Sequence, residues 1–494
     1  MNFSAEVLDA APAGRPALIE LARSGERREW SFGEVAERSA RLAGTLAAHG
    51  VRRGDVVMTL IGNRPEWVFA MVACFRLGAV ALPCTEQLRA KDLRLRLDVA
   101  RPALILADER NRAELEAAGT GEAQVLLVPD ETLYRAAAAP AAMLREDEPC
   151  LITFTSGTSG EPKAVLHAQR YLAGQRLQAE HWLGARSGEL VWCTAASGWS
   201  KSARNVFIAP WLRGACALLH DARFEPAQRL ELLARERVNV LCMAPTEYRV
   251  IAKRATLQPL PSLRAMVAAG EALNPEVLRA FRDATGLEIR DGYGQTETGQ
   301  VTGAPRGEPA REGSMGRPLP GVRVQIDDGE LTVAPASVPT FFLGYLGEQA
   351  LRVPGAGWQV EDRRDGAAWR TGDRVHEDAD GWLYFEGRDD DVIVSAGYRI
   401  GPFEVESALV AHPAVAEAAA VAAPDEERGA VVRAVVVLRD GAARPSPALV
   451  RELQEHVKRE TAPYKYPRIV DFAAELPKTA SGKVRRAALR AARG

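Results

Sequence analysis

Buried strands alternate with amphipathic helices through residues 1–380, and this alternation constrains the fold more than any other feature. Residues 31–50 carry a helical repeat that stops at Gly50, and 56–61 then read as a strand. Residues 64–77 are helical, and 78–82, 103–107 and 125–128 read as further strands. Later apolar runs at 216–219, 238–243 and 265–268 are separated by helical patterns. Strands apolar at successive positions are covered on both faces, which is the pattern of α/β layers. From about 313 to 384 short alternating runs such as 322–326 and 330–333 predict a mainly β section. Beyond a boundary at 387–391 come a helix over 402–410, strands at 415–422 and 430–438, a helix over 446–460 and a strand at 469–472. That is enough for a small α+β domain. The expected fold is therefore α/β, with a large N-terminal domain of α/β layers (1–388) that includes a β-rich subdomain. A hinge at 389–391 and a C-terminal domain at 392–494 complete it. The terminal RRAALRAARG reads as a solvated helix end.

The bulk properties exclude several classes of function. Among 494 residues, 47% are apolar and 26% charged, as in soluble globular proteins, and a formal charge of −2 gives no basic field for nucleic acid or membrane. The early acids of MNFSAEVLDAAPAG argue against a secretory signal, and the most apolar stretch, 68–83, is broken by Arg76 and too short to span a bilayer. The six cysteines form no CxxC pair and sit in apolar runs, so they read as reduced core thiols and make the cytoplasm the default compartment. The seven histidines form no HExxH. The oligomeric state is not legible, and a homo-oligomer remains open.

Residues 151–154 read as a buried strand running into TSGTSGEPK: Thr155, Ser156, Gly157, Thr158, Ser159, Gly160, Glu161, Pro162 and Lys163. Glycines let backbone approach an anion, hydroxyl and N–H groups donate to it, and lysine adds charge. Composition alone leaves a flexible surface loop as an equal reading. The chain lacks GxxxxGK[ST] and GxGxxG, so neither the ordinary P-loop nor the dinucleotide fingerprint competes.

The order of these nine residues resembles the signature loop of the adenylate-forming superfamily, which includes acyl-CoA synthetases, luciferases and peptide-synthetase adenylation domains. Further motifs follow in that family's order. The resemblance implies roles for each. Gly270 and Glu271, in AGEAL after a strand and before a helix, would lie against adenine, although Glu271 also reads as a plain first-turn acid. In DGYGQTE, Asp291, Gly292, Tyr293, Gly294 and Gln295 belong to the nucleotide site. Tyr293 would stack on adenine, Thr296 would bond the α-phosphate, and Glu297 would hold Mg²⁺. In WRTGD, Asp373 would accept the ribose hydroxyls, and in GRDDD, Arg388 would reach the ribose while Asp390 serves as the hinge. Arg399 would complete the nucleotide contacts. Ser395, Gly397 and Tyr398, in SAGYRIGP, would line the route of the thiol after the small, mobile C-terminal domain rotates. Lys483, in PKTASGK, matches the catalytic lysine.

The resemblance implies ATP-dependent activation of a carboxylic acid followed by transfer to the thiol of CoA, releasing AMP and pyrophosphate. Two other readings stay open: a ligase loading a carrier protein, and a nucleotide-binding module without turnover. Three stretches look specifically like medium-chain acyl-CoA synthetases: GWSKS at 198–202, TEQL at 85–88 and YKYP at 464–467. By that likeness Gln87, Lys458 and Tyr466 would touch CoA, with Glu86 a departure from the usual neutral residue. Residues 195–204 contain no acid to pair an ammonium group, which disfavours amino acid substrates. Acetate-specific relatives have Trp where Gly294 stands, so an acyl pocket bounded by Trp199 and Gly294 is expected to be larger. The expected acid is medium-chain or aromatic, uncharged beyond its carboxylate. Lys201 reads as a stem packed on Trp199 with its head in water, in preference to an ion pair with a second substrate carboxylate. No site is assigned between 329 and 369.

Overall fold

Local signals at the chain's turns account for where its elements start and stop. The helix Phe32–Ala48 begins at Ser31, whose hydroxyl accepts from Glu34 N while the Glu34 side chain returns to the Ser31 backbone, a capping box. The chain then turns at Gly50, with φ +87°. The helix Pro65–Leu77 starts on a proline and ends at left-handed Gly78. The structure is a computed structural model, described here for all residues except 156–161, 271, 272, 274, 354–356, 389, 390, 396, 397, 426, 427, 440, 442, 443, 480–482 and 492–494.

Two seven-stranded sheets form the large domain. In one, the strands lie in the order Ile289–Gly292, Ala265–Ala269, Val240–Cys242, Leu190–Cys193, Cys216–His220, Pro16–Leu21 and Arg27–Ser31. All its pairs are parallel except the last. In the other, Gly344–Tyr345, Ala164–Ala168 and Pro149–Phe154 pair antiparallel, followed by parallel Val80–Cys84, Val56–Leu60, Leu104–Asp108 and Gln124–Val128. Val56–Leu60, Val80–Cys84 and Leu104–Asp108 are buried at every position, as their unbroken apolar runs predict. One apolar core joins residues of both sheets with the helices Phe32–Ala48 and Pro65–Leu77; Pro65–Leu77 is buried nearly all round, whereas Phe32–Ala48 keeps an exposed face at Glu34 and Glu37. The six cysteines are buried and free.

The β section is an antiparallel sheet of Val324–Asp327, Glu330–Val333, Trp369–Glu377 and Leu383–Arg388. Its register sets Asp373 directly opposite Arg388. The C-terminal domain pairs Val415–Asp425 antiparallel with Gly429–Leu438, and the latter parallel with Ile469–Phe472. Residues of the helices Pro402–Ala411 and Pro447–Glu460 share its main core. The helix Arg486–Ala491 leaves Ala487, Arg490 and Ala491 exposed, as a solvated helix end predicts, and is anchored by Leu489, which packs with Ala419, Val421 and Val435 on the other face of this sheet. Among the described residues no helix is long and apolar enough to cross a membrane.

Candidate active site

A cavity of about 2150 Å³ opens where three bodies meet: the C-terminal ends of the parallel strands, the β section and the C-terminal domain. The ends of parallel strands are the usual place for ligands in α/β sheets, because loops there are free to vary. Thr155, Lys163, Gly270, Asp291, Gly292, Tyr293, Gly294, Gln295, Thr296, Glu297, Asp373, Arg388 and Lys483 all line it, as do Gln87 and Trp199. Residues distant in sequence thus converge from six motifs.

Both candidate lysines stand at the necks of loops. Thr155 and Lys163 close a hairpin between Pro149–Phe154 and Ala164–Ala168: Thr155 N donates to Lys163 O and Lys163 N to Thr155 Oγ1, each at 2.9 Å. The phosphate loop is therefore a hairpin loop, and only its first strand was legible in sequence. Ser156, Gly157, Thr158, Ser159 and Gly160 lie outside the described residues. Lys163 Nζ is 3.0 Å from Glu348 and 4.5 Å from the centre of the Tyr345 ring. Lys483 repeats the device: Thr479 N donates to Lys483 O at 2.8 Å, and Lys483 N to Thr479 Oγ1 at 3.2 Å. Its ammonium acts electrostatically on Asp373 across the domain boundary.

Asp373, 4% exposed, organises the opposite wall. The Tyr293 hydroxyl donates to Asp373 Oδ2, and Gln295 Nε2 donates to the same oxygen at 2.8 Å. Arg388 Nε is 3.4 Å from Oδ1. Gln295 is fixed from its other end, since Trp369 Nε1 donates to its Oε1 at 3.0 Å. Burial raises the Asp373 carboxyl above its ordinary range, opposed by Arg388, Tyr293, Gln295 and Lys483. Burial and Asp373 push the Tyr293 phenol well up, so it stays a donor.

Glu297, 9% exposed, accepts from the Tyr345 hydroxyl at 2.7 Å. Burial, then Glu297, raises the Tyr345 phenol, which keeps its proton. Tyr345 lies in the stretch that sequence left unassigned. It reaches the site because Gly344–Tyr345 pairs with the far strand of the phosphate hairpin, a long-range contact that no local motif announces.

Two residues meet neighbours that sequence does not announce. Lys201 Nζ donates to the Ala269 carbonyl at the end of its strand, beside Gly270. Gly294 lines the cavity, but a Cβ there would overlap the Gly299 carbonyl across the short hairpin of Gly294–Gln295 with Gly299–Gln300. Its lack of a side chain also allows that close approach. Glu86 is paired with Arg23 at 2.6 Å and Arg110 at 3.2 Å, which offsets the charge that set it apart.

The residues assigned to CoA do not all reach the cavity. Gln87 lines the cavity, whereas Ser395, Tyr398, Lys458 and Tyr466 do not. Ser395 is buried. Tyr398 stacks on Tyr464 with centroids 4.4 Å apart. Lys458 pairs with Glu455 at 2.6 Å and lies 4.3 Å from the centre of the Tyr466 ring. Glu271, Asp390, Gly397 and the Arg399 side chain lie outside the described residues. Lys253 of the large domain donates to the Ala416 carbonyl of the small one, and burial, aided by Arg439, pushes its ammonium down to about 8.

This chain belongs to the AMP-binding enzyme family, which matches residues 5–348, with the AMP-binding enzyme C-terminal domain matching 404–483. It is 38% identical to the mitochondrial acyl-coenzyme A synthetase ACSM3 of Mus musculus over 522 residues, covering 99% of this chain and 90% of the relative. Among solved structures it resembles a benzoate CoA ligase from Burkholderia xenovorans, with TM-score 0.86, 27% identity, and coverage of 99% of this chain and 100% of that one. It also resembles the anthranilate CoA ligase AuaEII in complex with anthranoyl-AMP, with TM-score 0.86, 28% identity, and coverage of 99% and 97%.

Proposed function

We propose that the protein is an ATP-dependent acyl-CoA synthetase that joins a carboxylic acid larger than acetate to CoA through an acyl-adenylate. The observation that carries this is Lys483 of the small domain lining the same cavity as Thr296, Glu297 and Asp373. The relatives named above support CoA as the acceptor. The buried free thiols fit a reducing compartment, the cytoplasm.

In the first step the acid's carboxylate attacks the α-phosphorus of ATP and pyrophosphate leaves. Both reactants are anions, so the site must screen their repulsion and stabilise the charge of the transition state. Lys483 supplies a positive charge from the small domain, Lys163 and the phosphate loop supply another set of donors, and Thr296 bonds the α-phosphate. Tyr293 lies against adenine, and Asp373 with Arg388 holds the ribose. Glu297 suits Mg²⁺ arriving with ATP, because that ion keeps phosphate and water oxygens and takes only one or two carboxylates. Bound there, Mg²⁺ neutralises phosphate charge. Tyr345 fixes the carboxylate that would hold it. Tyr345→Phe is expected to raise the Mg²⁺ concentration for half-maximal pyrophosphate release roughly tenfold, the loss of one hydrogen bond to a charged group. An unchanged Mg²⁺ titration would remove this role.

In the second step the small domain rotates, and the CoA thiol attacks the acyl carbon with release of AMP. Arg388 pairs with Asp373 in the large domain, while Asp391 pairs with Arg490 at 2.8 Å and Arg486 at 3.6 Å in the small one. A pivot between those anchors falls on 389–390, in support of Asp390 as hinge. After rotation Gly397, Tyr398 and Ser395 face the thiol's route, with Gln87, Lys458 and Tyr466 on CoA. Asp390→Pro is expected to slow thioester formation more than adenylation when the half-reactions are timed separately. Equal loss of both contradicts the hinge.

A further inference from the structure

The bonds at the neck of the Lys483 loop hold its two ends together, but they do not fix where the loop stands on the small domain. The residues after Lys483 do that. The segment turns back on itself, with Lys478 bridging Val484 in antiparallel register and Arg485 N donating to Pro477 O at 2.8 Å. The next residue, Arg486, opens the helix Arg486–Ala491. Its guanidinium reaches two carboxylates. Nη2 donates to Glu406 Oε1 at 2.7 Å and to Oε2 at 2.8 Å, and Nη1 is 3.6 Å from Asp391 Oδ2. These side chains are 24%, 13% and 14% exposed for Arg486, Glu406 and Asp391, so their pairing is screened less than that of a surface pair. All three line the same cavity as Lys483.

Both carboxylates are braced in turn. Glu406 belongs to the helix Pro402–Ala411, and its Oε1 also accepts from Ala420 N at 2.8 Å in the strand Val415–Asp425. Asp391 pairs with Arg490 at 2.8 Å, and its backbone N donates to Arg388 O at 3.0 Å. One side chain, three residues past the lysine, thus ties the loop to a helix, to the sheet and to the backbone beside 389–390. Arginine suits this, because a planar group with five donors can serve two carboxylates at once. A positive charge assists a reaction only when it is held where negative charge develops, and a displacement of about 1 Å can cost about a hundredfold in rate.

We propose that Arg486 is a positioning residue. By clamping the base of the lysine loop to Glu406 and Asp391 it sets the reach of Lys483 into the cavity and makes the loop move with the hinge. The inference rests on the synthetase reading above and on Lys483 as the lysine of its first step. Arg486 acts through Lys483 and not on the reacting atoms.

The test times the two half-reactions of the full chain, with ATP, Mg²⁺ and an acid the wild type accepts, in the wild type, Arg486→Met, Lys483→Ala and the double variant. Arg486→Met is expected to slow acyl-adenylate formation by about ten- to a hundredfold. Its ATP affinity should change little, because Lys163, Tyr293, Thr296 and Asp373 lie in the large domain. Thioester formation from preformed acyl-adenylate should stay near the wild-type rate, since Arg490 keeps Asp391 paired. On the Lys483→Ala background, Arg486→Met is expected to cost adenylation nothing further. A merely structural role would slow both half-reactions and add to the loss from Lys483→Ala. Either result, or wild-type adenylation by Arg486→Met, overturns the proposal and leaves the synthetase reading intact. Normal adenylation by Lys483→Ala overturns it too. If a thermal melt shows Arg486→Met unfolded, Glu406→Gln breaks the same ion pair from the other side, keeps an acceptor for Ala420 N, and carries the same expectations. A wild-type chain that forms acyl-adenylate from no acid overturns the synthetase reading and the proposal together.

Discussion

Replacing Lys483 by alanine is expected to slow adenylation by more than about a hundredfold while leaving thioester formation from preformed acyl-adenylate nearly intact. The first step brings two anions together, and loss of one well-placed donor typically costs about 2.7–4 kcal/mol of barrier, or roughly a hundred- to a thousandfold in rate. Lys483 has the placement the role needs. The bonds between Thr479 and Lys483 fix the neck of its loop, and the residue lines the cavity with Thr296 and Glu297. The second step does not use it, since thiol attack on the mixed anhydride builds no further charge on the phosphorus. Rapid-quench measurement of each half-reaction separates the two. Normal adenylation by the variant would remove Lys483 from the mechanism.

Asp373→Ala is expected to raise the KM for ATP by about ten- to a hundredfold, from hydrogen bonds to a charged group worth about 1.5–3 kcal/mol. Beyond any bond to ribose, the carboxylate orients the wall around it. Tyr293, Gln295 and Arg388 all point at it, so its removal also frees the ring assigned to adenine. Asp373→Asn is expected to do nearly as much harm, because its amide nitrogen would face a donor. Isothermal titration with ATP checks binding apart from turnover. Unchanged ATP affinity in a folded variant would refute the ribose assignment.

The parts of the site legible in sequence are those written locally. DGYGQTE, TGD and GRDDD each carry their chemistry within a few residues, and each lines the cavity at one or more positions. The helix Phe32–Ala48 is likewise bounded by its own cap and a nearby glycine. What sequence could not give depends on contacts between distant segments. Tyr345 meets Glu297 through strand pairing to the phosphate hairpin. Gly294 also answers to Gly299 across the hairpin, which no local motif shows. Nothing in the segment of Lys201 announces its bond to the Ala269 carbonyl.

The central claim is a two-step reaction through an acyl-adenylate with CoA as acceptor. Its most direct test is the product balance when the full chain is incubated with ATP, Mg²⁺, CoA and an accepted acid. AMP, pyrophosphate and acyl-CoA should form in equal amounts, and omission of CoA should leave acyl-adenylate on the enzyme at no more than one equivalent. Formation of ADP and phosphate, or release of AMP with no thioester, would contradict the account.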